Sequence, residues 1–394
     1  MKDDSMADVQ VAESSQLAES NSILTRIRNW LSSWFQWTPM SATVLRAAEK
    51  KILSCLKAAY RGWYVDIGSA VGTSDKIWTI SLNQESPKTP IVMLHGLGAG
   101  VALWVLNLDY LACHRPVYAI DLLGFGRSSR PSFSSDAVQA EEQLVKSVEE
   151  WRKEMKLEKM VVLGHSMGGF LAASYAIKYP DRVAHLILAD PWGFPERPAD
   201  HKPNLPFFYR AIGWLSQTMN PFWALRLAGP WGQNVVEKTR PDIMKKFSSV
   251  VNDNEGENVV AQYIFQCNAQ KPTGESAFHA MMTGFGWAKN PMIKRIHEIP
   301  SDVPVTAIYG SRSWIDSQSA NIKERRPDSY VNVQIISGAG HHVYADKSDV
   351  FNAHVEKACQ MADKAADISS GTCTVEEKTS SIEDTTSEDI DVKK

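Results

Sequence analysis

Six apolar runs of strand length punctuate the middle of the chain: PIVMLHG (90–96), RPVYAIDLLG (115–124), KMVVLGHS (159–166), VAHLILADP (183–191), PVTAIYGS (304–311) and VNVQIISGAGH (331–341). Helix-length amphipathic stretches lie between them. Strands that are apolar on both faces and alternate with helices predict an α/β fold, a mostly parallel central sheet covered by helices. The alternation spans 55–191 and 291–360, which is the expected core. Over 192–290 the strand runs disappear, and Trp192, Trp214, Trp223, Trp231 and Trp287 fall among Pro, Gly and helical pieces. That block reads as a helical cap inserted over the sheet.

Outside the core the patterning changes. Residues 1–20 are polar without periodicity, and 369–394 are rich in Ser, Thr, Glu and Asp, so both ends lack the apolar surface needed to fold. Between the first tail and the core lies NSILTRIRNWLSSWFQW (21–37), where Ile23, Ile27, Trp30, Leu31, Trp34 and Trp37 recur at three- and four-residue spacing, with Arg26 and Arg28 among the polar positions. A basic, Trp-bearing amphipathic helix suits a membrane or lipid-droplet interface, with Trp30, Trp34 and Trp37 inserted. The same stripe would also serve a helix packed on the domain.

A net charge of −3 does not advertise the basic face that nucleic acid requires. Five cysteines, scattered and without CxxC spacing, indicate neither a disulfide framework nor a metal site, and fit a reducing compartment. The start is acidic where a secretory signal would be basic and then apolar, and no apolar run is long enough to span a bilayer. The expected location is cytoplasmic, peripheral on membranes or lipid droplets.

Chemistry concentrates in GHSMGG (164–169). Gly164 and Gly168 flank Ser166 between an apolar strand and a helix-like segment, the setting that forces a serine into a sharp turn with its hydroxyl exposed. Serine needs a base, and the base an orienting acid. His341, just past the last apolar run, is the histidine placed to return to Ser166; His342 would point away, and His354 falls in a helix-like segment. For the acid, Asp316 follows the strand PVTAIYG, whereas Asp190 is followed at once by Pro191 and opens the insertion. Asp316 is therefore preferred, with Asp190, Asp302 and Asp346 as alternatives. HGLGAG (95–100), with Gly96 and Gly98, places the backbone N–H of Leu97 to converge with that of Met167 on a developing oxyanion, while His95 serves as a structural hydrogen-bonding residue. These glycines lack the spacing of a dinucleotide or phosphate loop, so no cofactor is expected.

Together HGLG, DLLGFGRS, GHSMGG, Asp316 and His341 resemble the α/β-hydrolase superfamily. The longer strings HLILADPWGFPERP, LRLAGPWG, GFGWAKNPM and GAGHHVYAD resemble its subfamily four/five. That resemblance implies a lipid acyl hydrolase acting on N-acyl phosphatidylethanolamines and lysophospholipids, or a lipid-droplet adaptor that co-activates a triglyceride lipase, with that lipase or a droplet-coat protein as partner. The co-activator branch carries Asn at the nucleophile position, where this chain has Ser166. Arg312 and Gly340 match positions linked with lipase activation in that branch. His341 and Asp346 also form H-x4-D, by which the family has been described as acylating lysophosphatidic acid.

Overall fold

Val161, Val162 and Leu163 illustrate why the sheet forms: branched side chains pointing alternately to two faces, each of which is covered by helices. The computed structural model describes residues 40–198, 220–248, 258–284, 286–315 and 321–369. Eight of its strands form one sheet: β1 (Tyr60–Asp66), β2 (Lys76–Leu82), β3 (Ile91–Leu94), β4 (Val117–Ile120), β5 (Met160–His165), β6 (Val183–Ala189), β9 (Val305–Gly310) and β10 (Val331–Ile336). The order is β1-β2-β4-β3-β5-β6-β9-β10. From β4 to β10 neighbours run parallel, whereas β1, β2 and β4 pair antiparallel.

Val161 and Leu163 pack in one core with Leu108 and Leu111 of α2 (Val105–Ala112) and Phe351 and Val355 of α12 (Ser348–Ser369). Val162 packs in the other, with Leu144, Val148 and Trp151 of α3 (Ala137–Glu154) and Phe170 and Leu171 of α4 (Met167–Lys178). All six strands read from the sequence are present. The two unexpected ones, β1 and β2, carry mixed patterns: Gly62 and Arg61 interrupt β1, and β2 buries Thr79 and Ser81. Thr79 is satisfied by the indole N–H of Trp151 at 2.9 Å, which lets a polar residue sit inside the core.

Among the described residues, β6 and β9 are separated by five α-helices, α5 (Trp223–Leu227), α6 (Gly232–Thr239), α7 (Pro241–Phe247), α8 (Val259–Asn268) and α9 (Thr273–Met281), and a small hairpin of β7 (Met282–Thr283) and β8 (Trp287–Ala288). Helix α1 (Ala42–Leu53) docks on α8, and the backbone N–H of Ser41 donates to Gln266 Oε1 at 3.0 Å. Residues 21–37, with Trp30, Trp34 and Trp37, lie outside the described residues, as do both tails.

His185 on β6 is fully buried and bonded through Nε2 to Thr306 Oγ1 at 2.8 Å. Burial pushes its pKa from 6.5 down to about 4. The unfolded chain therefore takes up this proton below about 6.5 while the folded chain refuses it until about 4, so stability falls as pH drops through that window. The accumulated loss approaches about 3 kcal/mol. His185→Gln should flatten that acid dependence, read as the shift of denaturant midpoint between pH 7 and pH 5; an unchanged shift would remove His185 as its source.

Candidate active site

Strand β5 ends at His165, and the chain turns into α4 through Ser166 at φ 53°, ψ −118°. A serine is held in this sparsely populated region only where the surroundings dictate it. Two glycines make the turn possible. A Cβ on Gly164 would lie 2.2 Å from the carbonyl oxygen of Gly168, and one on Gly168 would lie 2.3 Å from that of Leu94. The backbone N–H of Ser166 donates to the Ala189 carbonyl at 3.1 Å, tying the turn to β6.

His341 follows β10 on a loop that returns over the end of the sheet. Its Nε2 lies 3.0 Å from Ser166 Oγ and its Nδ1 lies 2.6 Å from Asp190 Oδ2. With the carboxylate on Nδ1, that nitrogen donates, leaving Nε2 to accept the serine proton.

The carboxylate on His341 is thus Asp190, one of the alternatives; Asp316, the preferred acid, lies outside the described residues. Asp190 ends β6, the strand next to the one that carries Ser166, and its fully buried carboxylate is anchored from β9. The Gly310 N–H donates to Oδ1 at 3.2 Å, and the Ser313 hydroxyl donates to Oδ2. The loop after β9, expected to bring Asp316 to the base, instead contributes Ser313, a donor that steadies the acid on the neighbouring strand. Asp190 does open the insertion, and its left-handed φ of 45° turns the chain there.

His342 also departs from expectation. It does not point away but lines the same cavity as His341, their rings 5.5 Å apart. Burial holds His342 and His165 well below the usual histidine range, so both are neutral. His165 then donates from Nε2 to the His341 carbonyl at 2.9 Å and fixes the loop that carries the base.

The HGLGAG loop sits against the serine: a Cβ on Gly96 would be 3.0 Å from Ser166 Cβ. Leu97 lines the cavity, and neither its N–H nor that of Met167 donates a hydrogen bond among the described residues. Both amides are therefore available to an oxyanion. His95 is buried and structural, with Nδ1 on the Gly96 carbonyl at 2.8 Å and Nε2 accepting from the Leu122 N–H at 3.1 Å. From α8, Asn268 Nδ2 donates to the Gly98 carbonyl at 2.9 Å, a brace no local pattern announces.

Arg312 and Gly340 fall on adjacent loops, joined where the Arg312 N–H donates to the Ala339 carbonyl at 2.8 Å. Gly340 lines the cavity. Asp346 is not on His341; its Oδ2 accepts from the Gly340 N–H at 2.8 Å.

Ser166 and His341 open on a cavity of about 660 Å³. Leu97, Trp192, Phe222, Trp223, Phe278 and Trp314 give it apolar walls, with Arg240, Asp242 and Lys246 on the side formed by α6 and α7. The volume and lining suit an apolar chain presented to a few fixed polar groups.

The family model for the alpha/beta hydrolase fold matches residues 89–348. The chain is an α/β-hydrolase. It is 49% identical over 341 residues to a (lyso)-N-acylphosphatidylethanolamine lipase of Bos taurus, covering 85% of this chain and 97% of that one. It is also 49% identical over 327 residues to the 1-acylglycerol-3-phosphate O-acyltransferase ABHD5 of Homo sapiens, covering 82% and 91%. Among solved structures, a putative hydrolase from Bacillus subtilis matches this α/β-hydrolase with a TM-score of 0.55 at 17% identity, over 81% of this chain and 99% of that one. That likeness speaks to the fold.

Proposed function

We propose that this α/β-hydrolase cleaves acyl esters of phospholipids or lysophospholipids through an acyl-Ser166 intermediate. The observation that carries the reading is the continuous relay Ser166–His341–Asp190 at the wall of an apolar cavity. His341 takes the hydroxyl proton as Ser166 Oγ attacks the ester carbonyl, and the Leu97 and Met167 amides receive the oxyanion. Collapse expels the glycerol-bearing alcohol, which takes the proton from His341. Water then enters by the same route and releases the fatty acid. Replacing that water with a glycerol hydroxyl turns hydrolysis into acyl transfer. Such transfer would suit lysophosphatidic acid as acceptor, in keeping with the acyltransferase named among the relatives. The adaptor reading rests on Gly340, which lines the cavity, and Arg312 on the adjoining loop, both outside the relay. It needs no activated serine.

The Trp-bearing segment 21–37 would bring the enzyme to its lipid. No helix among the described residues is long and apolar enough to cross a membrane. Purified chain incubated with lysophospholipid vesicles should release fatty acid. Trp30→Ala, Trp34→Ala and Trp37→Ala together should cut flotation with vesicles by orders of magnitude, since each buried indole is worth about 1.5 to 3 kcal/mol, while hydrolysis of a short soluble ester persists. Intact flotation would dismiss the anchor. Absence of fatty-acid release by the wild type, with no fluorophosphonate labelling, would leave the adaptor role.

A further inference from the structure

His341 and Asp346, the H-x4-D pair of the sequence, do not meet. His341 has committed Nδ1 to Asp190 and Nε2 to Ser166, and Asp346 divides its carboxylate between two other groups. Oδ2 accepts from the N–H of Gly340 at 2.8 Å, and Oδ1 lies 3.2 Å from Lys246 Nζ. Gly340 immediately precedes the base. Lys246 stands on α7 of the insertion and lines the cavity.

We propose that Asp346 is a positioning residue which, by joining Gly340 to Lys246, holds the loop carrying His341 against the insertion and so couples the setting of the base to the cover of the cavity. The inference rests on Ser166 and His341 being the working pair. Three observations support it. The ion pair is sheltered, its side chains only 14% and 17% exposed, so it is screened less than a surface pair. Asp346 is itself fixed to the loop, because its backbone N–H donates to the His342 carbonyl at 2.9 Å. The loop is gripped again from the sheet, where His165 donates to the His341 carbonyl, so Gly340 to His342 is held from both sides. Lys246 is the member of this set that belongs to the insertion, and a shift of α7 would be transmitted to the base through Asp346.

A dyad acid and a positioning residue make opposite predictions. The full-length chain would be compared as wild type, Asp346→Asn, Lys246→Met, the double variant, and Lys245→Met as an exposed control on the same helix. The readouts are the rate of fluorophosphonate labelling at Ser166, kcat and KM for lysophospholipid hydrolysis, and acyl transfer to lysophosphatidic acid. Asp346→Asn should slow labelling and lower kcat by about tenfold or more, as displacement of a base by a fraction of an ångström does, with hydrolysis and transfer falling together. Lys246→Met should move the same quantities in the same direction. The double variant should be no slower than Asp346→Asn, since both substitutions cut one connection, and Lys245→Met should match the wild type. Cooperative melting identifies any variant that fails to fold, and Lys246→Met then carries the comparison. Loss of transfer alone in Asp346→Asn, a silent Lys246→Met, or multiplicative single effects would each overturn the coupling. A wild type that does not label would sink the serine reading itself, before any variant is compared.

Discussion

Ser166→Ala is expected to bring ester hydrolysis to background, a fall of about 10⁴-fold or more in kcat, because among the described lining residues Ser166 is the one hydroxyl, and His341 is bonded to it. His341→Ala should cost nearly as much. The hydroxyl would remain, but near neutral pH it is almost wholly protonated, and among the described residues His341 is the group within hydrogen-bond reach of Oγ that takes that proton. The double variant should be no worse than either single one, since residues that act as a unit are lost as a unit. Purified variants assayed on a lysophospholipid and on a short soluble ester would read this directly. Full turnover by Ser166→Ala on either substrate would end the serine mechanism.

Asp190→Asn should lower kcat by on the order of 10³- to 10⁴-fold, whereas Asp316→Asn should change it by no more than about twofold. The contrast follows from tautomers. Asp190 accepts the Nδ1 proton of His341 and so leaves Nε2 free to accept from Ser166. An amide NH₂ in its place faces Nδ1 and drives the ring proton to Nε2, where it blocks the serine. The Gly310 N–H can still donate to the asparagine oxygen, and the Ser313 hydroxyl can rotate to accept from the NH₂, so the turn survives and the loss falls on chemistry. Melting temperatures of the two variants, measured beside kcat, would separate these effects. A large loss in Asp316→Asn with Asp190→Asn near wild type would reverse the assignment.

The nucleophile was legible because its geometry is local. Gly164, Ser166 and Gly168 must be what they are for the strand to turn so sharply into the helix, and the same few residues announce it in the sequence. His341 was legible because few histidines follow the insertion. The acid was not, because what selects it is strand order. Asp190 stands beside Ser166 only once β6 pairs with β5, and its buried carboxylate is tolerable only once Gly310 and Ser313 arrive from β9. Read along the chain, the Pro191 that follows Asp190 signals a turn and nothing more. Strands β1 and β2 escaped for a related reason: β1 is largely exposed and carries Arg61 and Gly62, and β2 buries Thr79, which Trp151 satisfies from a distance, so the apolar run that marks a buried strand is broken. Asn268 and His165 brace the oxyanion and base loops through contacts 170 and 176 positions away, and no spacing rule reaches that far.

With the acid on β6, the described part of the loop after β9 supplies the relay with the hydroxyl of Ser313. Its neighbours Arg312 and Trp314 are exposed, Trp314 by 63%, and Trp314 also stands at the rim of the cavity. Replacing Trp314 would change which surface this rim greets and also the packing on the base, because its ring lies 5.2 Å from that of His341. Conversely, the relay can fall silent through one substitution at position 166 while the rim stays intact. Turnover can thus be lost while the surface that meets the lipid is kept, whereas that surface cannot be rebuilt at Trp314 without reaching the base.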